Sequence, residues 1–247
     1  MNVENTPFLS IVIPAHNEEH RLPPTLEKID QYLRSRSLSA EVIVVENGSA
    51  DRTAAVTEHY SETHPYVKLL VVKTRGKGLA VKAGMLLAQG EYRFMCDADL
   101  SMPIDELDKF IAPNMQSYDV ILGSREAQGA RRVDEPEYRH IMGRVLNTIV
   151  KLMAVNQFED TQCGFKLFSR KAAEDLFRIQ RMNGIGFDVE LVFLAVKRGY
   201  KIYEMPITWY FDADSRMKLF QDTLHILQEI WEIRRNWQQG VYDAPTS

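Results

Sequence analysis

The strongest constraint on the fold of this chain is a unit that repeats through its first half: an apolar run, a short polar stretch, then a stretch with helical periodicity. The apolar runs span residues 8–13, 41–45, 67–72, 92–96 and 119–122. Strands that are apolar almost throughout and alternate with helices are typical of a parallel sheet covered on both faces, built from right-handed crossovers. We therefore predict an α/β fold with a Rossmann-like, mostly parallel sheet flanked by helices.

Each of the five runs ends in polar, charged or glycine residues. These endings are Asn17 and Glu18, Glu46 and Asn47, Lys77 between two glycines, Asp97 and Asp99, and Arg125. In such sheets ligands bind beyond the carboxyl ends of the strands, so we expect the endings to line one site. A solvated turn explains any single ending at least as well, but it explains five in succession less well.

The fourth run ends in two aspartates spaced one residue apart. Alternate side chains of a strand share a face, so Asp97 and Asp99 can turn both carboxylates toward one point. Two such oxygen donors suit Mg²⁺ or Mn²⁺, particularly when a substrate diphosphate supplies further ligands. A polar turn that closes the strand is the alternative, and for this motif alone it is the better explanation.

Composition limits the classes of function. The formal net charge is −4 and the sequence pI is about 5.9, so no overall positive field attracts nucleic acid or anionic lipid. The 247 residues accommodate one large domain. Neither Cys96 nor Cys163 has zinc-ligand spacing, and we expect reduced packing residues in a cytoplasmic protein. Without a signal-peptide pattern or an apolar run that could span a bilayer, we expect a protein that is soluble or lies on a membrane.

The second half of the chain has a different rhythm. Residues 127–139 are polar and predict a mobile loop, and helical patterning follows from near Tyr138 to Val155. Residues 160–168 predict a loop that enters a strand, before helices at 171–179 and 187–198. The last predicted strand covers 201–207, where Pro206 indicates a sheet edge.

The C-terminal stretch is amphipathic. Between Met217 and Trp237 apolar residues recur at helical spacing, and Arg234 and Arg235 lie near the tryptophans. Two explanations stay open. The helix packs on the protein's own core, which the pattern alone favours, or it lies in the membrane interface, where Trp and Arg suit the headgroup layer.

Motifs at the strand ends carry a family resemblance. Residues 13–19 read Ile-Pro-Ala-His-Asn-Glu-Glu, residues 45–51 read Val-Glu-Asn-Gly-Ser-Ala-Asp, and residues 97–99 read Asp-Ala-Asp. Together they resemble the inverting family 2 glycosyltransferases of GT-A fold, which use nucleotide-sugar donors. Residues 160–168, 186–191 and 233–240 are similar to the dolichyl-phosphate glucosyltransferase branch, whose members transfer a hexose to a polyprenyl phosphate. That similarity favours the membrane-facing alternative for the C-terminal stretch.

The chain departs from the family in two respects. Glu46 and Asn47 stand where the family usually has two aspartates, so the contact to the donor base is expected to differ. Eukaryotic members of the branch carry an N-terminal membrane span, and this sequence has no such stretch, as in a bacterial or archaeal version.

The resemblance implies transfer of a hexose, glucose from UDP-glucose, to a polyprenyl phosphate with inversion. It implies Mg²⁺ or Mn²⁺ at Asp97 and Asp99, and sugar contacts at Thr161, Gln162, Asp188 and Glu190. The nucleotide-sugar contacts would be Pro14, Ala15, Asn17, Glu18, Glu46, Asn47, Lys77, Asp97, Ala98 and Asp99.

The resemblance also places the catalytic step at Asp160, Asp99 and Arg125. Asp160 would position the sugar or the attacking phosphate or act as a weak base, and capping of the turn before Gly164 is the alternative. The acceptor phosphate would be held by arginine and lysine, which suit phosphate: Arg131, Arg132, Arg139, Arg216 and Lys218. For Arg131, Arg132 and Arg139, a solvated loop paired with neighbouring acids is equally consistent.

We expect two parts in the chain: a catalytic domain at residues 1–212 and a membrane-interface segment at 213–247, peripheral on the cytoplasmic face. Another donor, GDP-mannose or UDP-N-acetylhexosamine, or a soluble acceptor, is the alternative within the same enzyme class. A non-catalytic nucleotide-sugar-binding protein is the alternative outside it, and the intact Asp97, Asp99 and Asp160 argue against that alternative.

Overall fold

The computed structural model describes residues 6–212 and 219–243, with side chains in the last helix described from residue 225. The strands are β1 (Leu9–Ala15), β2 (Ala40–Asn47), β3 (Val67–Val72), β4 (Tyr92–Met95), β5 (Val120–Ser124), β6 (Arg131–Val133), β7 (Lys166–Ser169), β8 (Ile202–Pro206) and β9 (Thr208–Tyr210). The helices are α1 (Leu22–Arg36), α2 (Thr53–Thr63), α3 (Lys77–Leu87), α4 (Leu107–Phe110), α5 (Glu137–Met153), α6 (Arg170–Ile179), α7 (Phe187–Lys197) and α8 (Leu219–Gln238).

The main sheet confirms the predicted mostly parallel architecture. Its strand order is β3-β2-β1-β4-β7-β5-β8, and only β7 is antiparallel to its neighbours, β4 and β5. β8 lies at the end of this order and closes on Pro206, as predicted for an edge strand. The carboxyl ends of β1, β2, β4 and β5 therefore meet along one edge.

Helices cover both faces of the sheet because successive strand residues point to opposite sides. On one side Val12 and Val45 pack against α3 and α6, and on the other Ile11 and Val44 pack against α1. A Cβ at Gly84 of α3 would lie 2.5 Å from Val12, so only glycine lets this helix approach the sheet so closely. The two cysteines, 96 and 163, are buried and free, as expected of packing residues.

A second, small sheet corrects one prediction. Residues 127–139 were expected to form a mobile loop, but Arg131–Val133 of this stretch forms β6, which pairs in parallel with β9. A three-residue strand is too short to show a sequence period. Its partner is also more than seventy residues away along the chain, so local pattern could not indicate the pairing.

The last helix packs on the protein. Ile226, Ile230 and Ile233 of α8 are fully buried, the first two in a cluster with residues of α5 and α7. Trp237 meets Phe193 edge to face, with ring centroids 5.9 Å apart. The apolar stripe of the described part of α8 thus packs on the core of the protein. None of the described helices is long and apolar enough to cross a membrane.

Candidate active site

A lysine from the helix that precedes β4 in the chain holds the carboxylate of Asp97. Lys77 is the first residue of α3, and its Nζ lies 2.6 Å from Oδ1 of Asp97. Burial opposes ionisation of Asp97, but the neighbouring ammonium outweighs it and holds the pKa of Asp97 below its ordinary value. For Lys77, burial disfavours the charge while Asp97 and Asp188 raise its pKa, so both groups stay ionised.

A second ion pair, between Lys166 and Asp188, is buried near the pair of Lys77 and Asp97. Lys166 on β7 is fully buried, and its ammonium contacts Oδ1 of Asp188 and the carbonyl oxygen of Cys163. Burial raises the pKa of the Asp188 carboxyl, and the charges on Lys166 and Lys77 counteract that rise. Asp188, predicted as a sugar contact, thus lies in a buried ion pair with Lys166, and the charge of Lys77 also acts on it.

Asp99 faces solvent beside this network. One of its carboxylate oxygens accepts a hydrogen bond from the Ser101 amide at 2.9 Å. Although its side chain reaches solvent, desolvation by the surrounding atoms and the negative charge of Asp97 raise the pKa of Asp99, so a cation bound at the two carboxylates would relieve their repulsion. The donor set of Asp97 and Asp99 fits Mg²⁺ or Mn²⁺. The described residues contain no cluster of three or more His, Cys, Asp or Glu that could hold a metal ion.

Gly164 explains how Asp97 reaches its position, and it was not among the predicted site residues. A Cβ built on Gly164 would overlap the carboxylate of Asp97, so any other residue would displace that carboxylate. The neighbouring Ala98 is buried, and its carbonyl oxygen accepts a hydrogen bond from the Thr25 hydroxyl at 2.7 Å. Only the glycine in the 160–168 motif signalled this contact.

Asn47 ties β2 to the loop that carries Lys77. Its side-chain nitrogen donates to the Thr74 carbonyl oxygen at 2.5 Å, and its side-chain oxygen accepts from the Gly76 amide at 2.7 Å. An aspartate at this position would have no proton to donate to Thr74. Asn47, which stands where the family usually has an aspartate, thus has a structural role. The neighbouring Glu46 accepts a hydrogen bond from the Ser49 amide.

The end of β1 forms the rim of the site. Pro14 and Ala15 close the strand, and Asn17 follows in a left-handed conformation, φ 55°, with its side-chain oxygen accepting from the Ala50 amide at 2.8 Å. Glu18 accepts from Arg21 at 2.7 and 3.1 Å. The predicted nucleotide-side residues are thereby brought to one edge.

Asp160 and Arg125 form a bidentate ion pair at this edge. Asp160 is fully buried, and Arg125 donates to its two oxygens, from Nε at 2.7 Å and from Nη2 at 2.9 Å. The Arg125 and Gln162 amides donate to the same carboxylate. Although burial opposes ionisation, Arg125 lowers the pKa of Asp160 to about 2. A carboxylate with this pKa and these partners is a poor base, and its geometry favours holding Arg125 in place.

Next to the Asp160–Arg125 contact, three arginine guanidinium groups lie over two aromatic rings. The guanidinium carbons of Arg125 and Arg132 each lie 5.7 Å from the ring centroid of Trp209, and that of Arg139 lies 5.1 Å from Phe211. We call these five residues the arginine–aromatic face. The two aromatic residues were missed by sequence reasoning, since their only signal was a Trp-Tyr-Phe run after the last strand.

The remaining predicted residues are distributed unevenly. Arg132 also pairs with Glu135 at 2.6 Å and with Glu126, and Arg131 is exposed. Thr161 is buried and Gln162 half-buried next to Asp160. Glu190 lies apart from them: it is fully buried and accepts from the Arg181 and Met182 amides and from the Tyr242 hydroxyl. Arg216 and Lys218 lie outside the described residues.

Known sequences resemble this chain over most of its length. The family described as Glycosyl transferase family 2 matches residues 10–177. A dolichyl-phosphate beta-glucosyltransferase of Trichomonas vaginalis is 37% identical over 86% of this chain, which spans 66% of that protein. The dolichyl-phosphate beta-glucosyltransferases of Dictyostelium discoideum and Homo sapiens are each 31% identical, over 95% and 96% of this chain and 76% and 78% of theirs.

Solved structures share the architecture. Glucosyl-3-phosphoglycerate synthase from Mycobacterium tuberculosis in complex with UDP has a TM-score of 0.68 and 16% identity, over 92% of this chain and 80% of that one. The same synthase with Mn²⁺, UDP-glucose and phosphoglyceric acid has a TM-score of 0.66 and 15% identity, over 92% and 79%. These likenesses confirm the predicted GT-A fold. Together with the family match and the relatives, they lead to one conclusion: the chain belongs to glycosyl transferase family 2, in the group of the dolichyl-phosphate beta-glucosyltransferases.

Proposed function

We propose that this chain transfers glucose from UDP-glucose to a dolichyl-type polyprenyl phosphate with inversion at the sugar. The observation that carries the proposal is the meeting of two opposite charge sets at one strand edge. The Asp97 and Asp99 carboxylates form one set and the arginine–aromatic face forms the other, and the stretch from Asp160 to Gly164 joins them, since Asp160 pairs with Arg125 and Gly164 lies against the Asp97 carboxylate. The relatives named above support the acceptor and the sugar.

On the donor side, Asp97 and Asp99 would hold Mg²⁺ or Mn²⁺ together with the diphosphate of the nucleotide sugar. The metal would supply Lewis-acid neutralisation of the charge that develops on the departing diphosphate. Lys77 keeps Asp97 ionised and oriented, and it presents a second positive charge at the same edge. Asn47 keeps Lys77 there by holding the loop that precedes it. We assign the nucleoside to the rim formed by the ends of β1 and β2.

On the acceptor side, the nucleophile is a phosphate monoester. Because the second pKa of such a phosphate is about 6, it is already charged at neutral pH and needs little or no general base. Its attack forms a new carbon–oxygen bond on the sugar face opposite the departing diphosphate, and this single displacement inverts the anomeric carbon. Positive charge is required to bring the acceptor phosphate next to the donor diphosphate. We assign that task to Arg125, Arg131, Arg132 and Arg139, with Asp160 holding Arg125.

We further propose that the enzyme is peripheral on the cytoplasmic face of a membrane, with residues 1–212 as the catalytic domain and 213–247 contributing to membrane contact. The donor is water-soluble and the acceptor is a lipid, so the site must lie at an interface. On α8, Trp231 is 60% exposed and the Arg235 guanidinium carbon lies 5.0 Å from its ring centroid. Both residue types suit the headgroup layer.

The proposal is tested by a donor and acceptor panel. Purified protein is incubated with UDP-glucose, UDP-N-acetylglucosamine or GDP-mannose, with dolichyl or undecaprenyl phosphate as acceptor, and the lipid-linked product is quantified. We expect product from UDP-glucose with the lipid phosphates, and a β-linkage by NMR. Product only from another donor, transfer only to a soluble acceptor, or donor binding without turnover on any lipid phosphate would each refute the proposal in a distinguishable way.

A further inference from the structure

Helix α5 exposes an apolar face along most of its length. The side chains of this face are between 43% and 80% exposed: Tyr138, Ile141, Met142, Val145 and Leu152. Their spacing follows the helical repeat, so they form one stripe. With a rise of about 1.5 Å per residue, the helix is about 25 Å long. We call this stripe the outer face of α5.

The opposite side of the same helix is buried. Leu146 and Val150 pack in a cluster with Val189 of α7 and with Ile226 and Ile230 of α8. A helix on the surface of a water-soluble protein typically has one apolar stripe, which faces the core. Here α5 has two, and the second is directed away from the protein. A contiguous exposed apolar patch of this kind marks a surface that binds a partner or a membrane.

The charges on α5 favour an anionic surface as that partner. The helix carries Arg139, Arg144 and Lys151 against a single acidic residue, Glu137, in a chain whose formal net charge is −4. Arg144 is exposed beside the outer face, whereas Lys151 pairs with Glu159 at 2.6 Å. An apolar stripe with basic residues at its border is the arrangement of helices that lie in the headgroup layer of anionic membranes.

The position of α5 adds a second argument. Its first turn carries Arg139, which belongs to the arginine–aromatic face through Phe211. The Phe211 amide in turn donates to the Val133 carbonyl oxygen of β6 at 3.0 Å. The outer face therefore begins where the positive charges of the acceptor side end. A phosphate held among these arginines would lie next to the first turn of α5, so the apolar chain of its lipid would have an apolar surface within reach.

We infer that the outer face of α5 is a membrane-docking surface, which lies in the headgroup layer of a bilayer containing anionic lipid and brings the arginine–aromatic face to the level of the lipid phosphates. The inference deepens the proposed function and rests on it for the identity of the acceptor. The docking itself is measurable without any turnover.

The test compares a double variant, Ile141→Glu with Val145→Glu, against Leu87→Glu as a matched control. Leu87 is 48% exposed and ends α3, the helix that begins at the site with Lys77, so its side chain lies at the far end of that helix. Each protein is floated with vesicles of phosphatidylcholine and phosphatidylserine. Each is then assayed with dolichyl phosphate in those vesicles and with a short, water-soluble isoprenyl phosphate, after circular dichroism and thermal unfolding have verified the fold.

We expect the double variant to lose vesicle binding by at least about tenfold, because two carboxylates replace inserted apolar groups and are repelled by anionic headgroups. Transfer to vesicle-embedded acceptor should fall in parallel, while transfer to the soluble acceptor stays within about twofold and the control resembles wild type. Unchanged flotation of the folded double variant would overturn the inference. The inference would also be overturned if light scattering showed that the double variant changes from a dimer to a monomer while its flotation stays unchanged, because a second copy of the chain would then cover the face. If the wild type floats but transfers sugar to neither acceptor, the proposed function fails and the docking surface stands.

Discussion

The contact between Asp160 and Arg125 supports the proposed acceptor side, and replacing Asp160 with asparagine tests it. The difference between an ordinary aspartate pKa of 3.8 and about 2 in the folded protein corresponds to about 2.5 kcal/mol of preference for the ionised form. Asparagine preserves the size but leaves Arg125 without its counter-charge and without the bidentate acceptor. We expect the free energy of unfolding to fall by about 2 to 3 kcal/mol, measured as a lower Tm.

The sign of the pKa shift sets the pH dependence of this loss. Because the folded pKa of Asp160 is depressed, its stabilising contribution is fully present above the unfolded value near 3.9 and is lost as pH falls toward about 2. The stability difference between wild type and Asp160→Asn should therefore be constant between pH 5 and 8, by about the amount given above, and shrink in acid.

Kinetics separate positioning from base catalysis. If Asp160 acts through Arg125, Asp160→Asn should raise the acceptor KM and reduce kcat/KM for the acceptor by about 30- to 100-fold, with the donor KM within about twofold. Arg125→Gln should have the same pattern, and the double variant should be no worse than the worse single variant because both changes break one contact. Multiplicative losses would refute the reasoning. So would a wild-type rate profile with a base titrating between pH 5 and 8 that Asp160→Asn abolishes.

Three further predictions concern the donor side. Asp99→Ala should reduce transfer by at least about 100-fold, since one of the two carboxylates that we propose to hold the metal is lost. Wild-type activity should vanish with EDTA and return with Mn²⁺, and undiminished activity in EDTA would contradict the metal-dependent mechanism. Gly164→Ala should displace the Asp97 carboxylate and lower kcat by about tenfold at saturating donor while the acceptor KM is unchanged; a wild-type kcat would show that Asp97 has room to move. Asn47→Asp should raise the donor KM by about tenfold through the lost hydrogen bond to Thr74, as measured by initial rates against donor concentration, and an unchanged donor KM would remove the role assigned to this amide.

The first half of the fold was predictable because its signals are local. β1, β2 and β3 are apolar runs that follow one another in the repeating unit, and each pairs with the next. Right-handed crossovers leave few ways to arrange such strands. The residues that follow those strands could be assigned to one edge for the same reason. Lys77, which follows the third apolar run, and Asp97, which follows the fourth, do meet there, at 2.6 Å.

The rest depended on contacts between distant parts of the chain. The pairing of β6 with β9 and the rings of Trp209 and Phe211 over the arginines join segments that no sequence period relates. The sequence pattern also could not indicate which acidic side chains are buried. The acidic residues of the 186–191 motif carry the same signal as surface carboxylates, yet Glu190 is fully buried and committed to backbone amides.

The reversed direction of β7 has a consequence for how the proposed donor and acceptor sides are joined. In an antiparallel strand the residues that precede it, not those that follow it, lie at the carboxyl edge of its parallel neighbours. The stretch from Asp160 to Gly164 enters β7 from this edge, and its two ends contact Arg125 and Asp97. One continuous five-residue segment thus contacts both Arg125 on the proposed acceptor side and Asp97 on the proposed donor side, so a single short stretch of backbone sets how far apart these two groups lie.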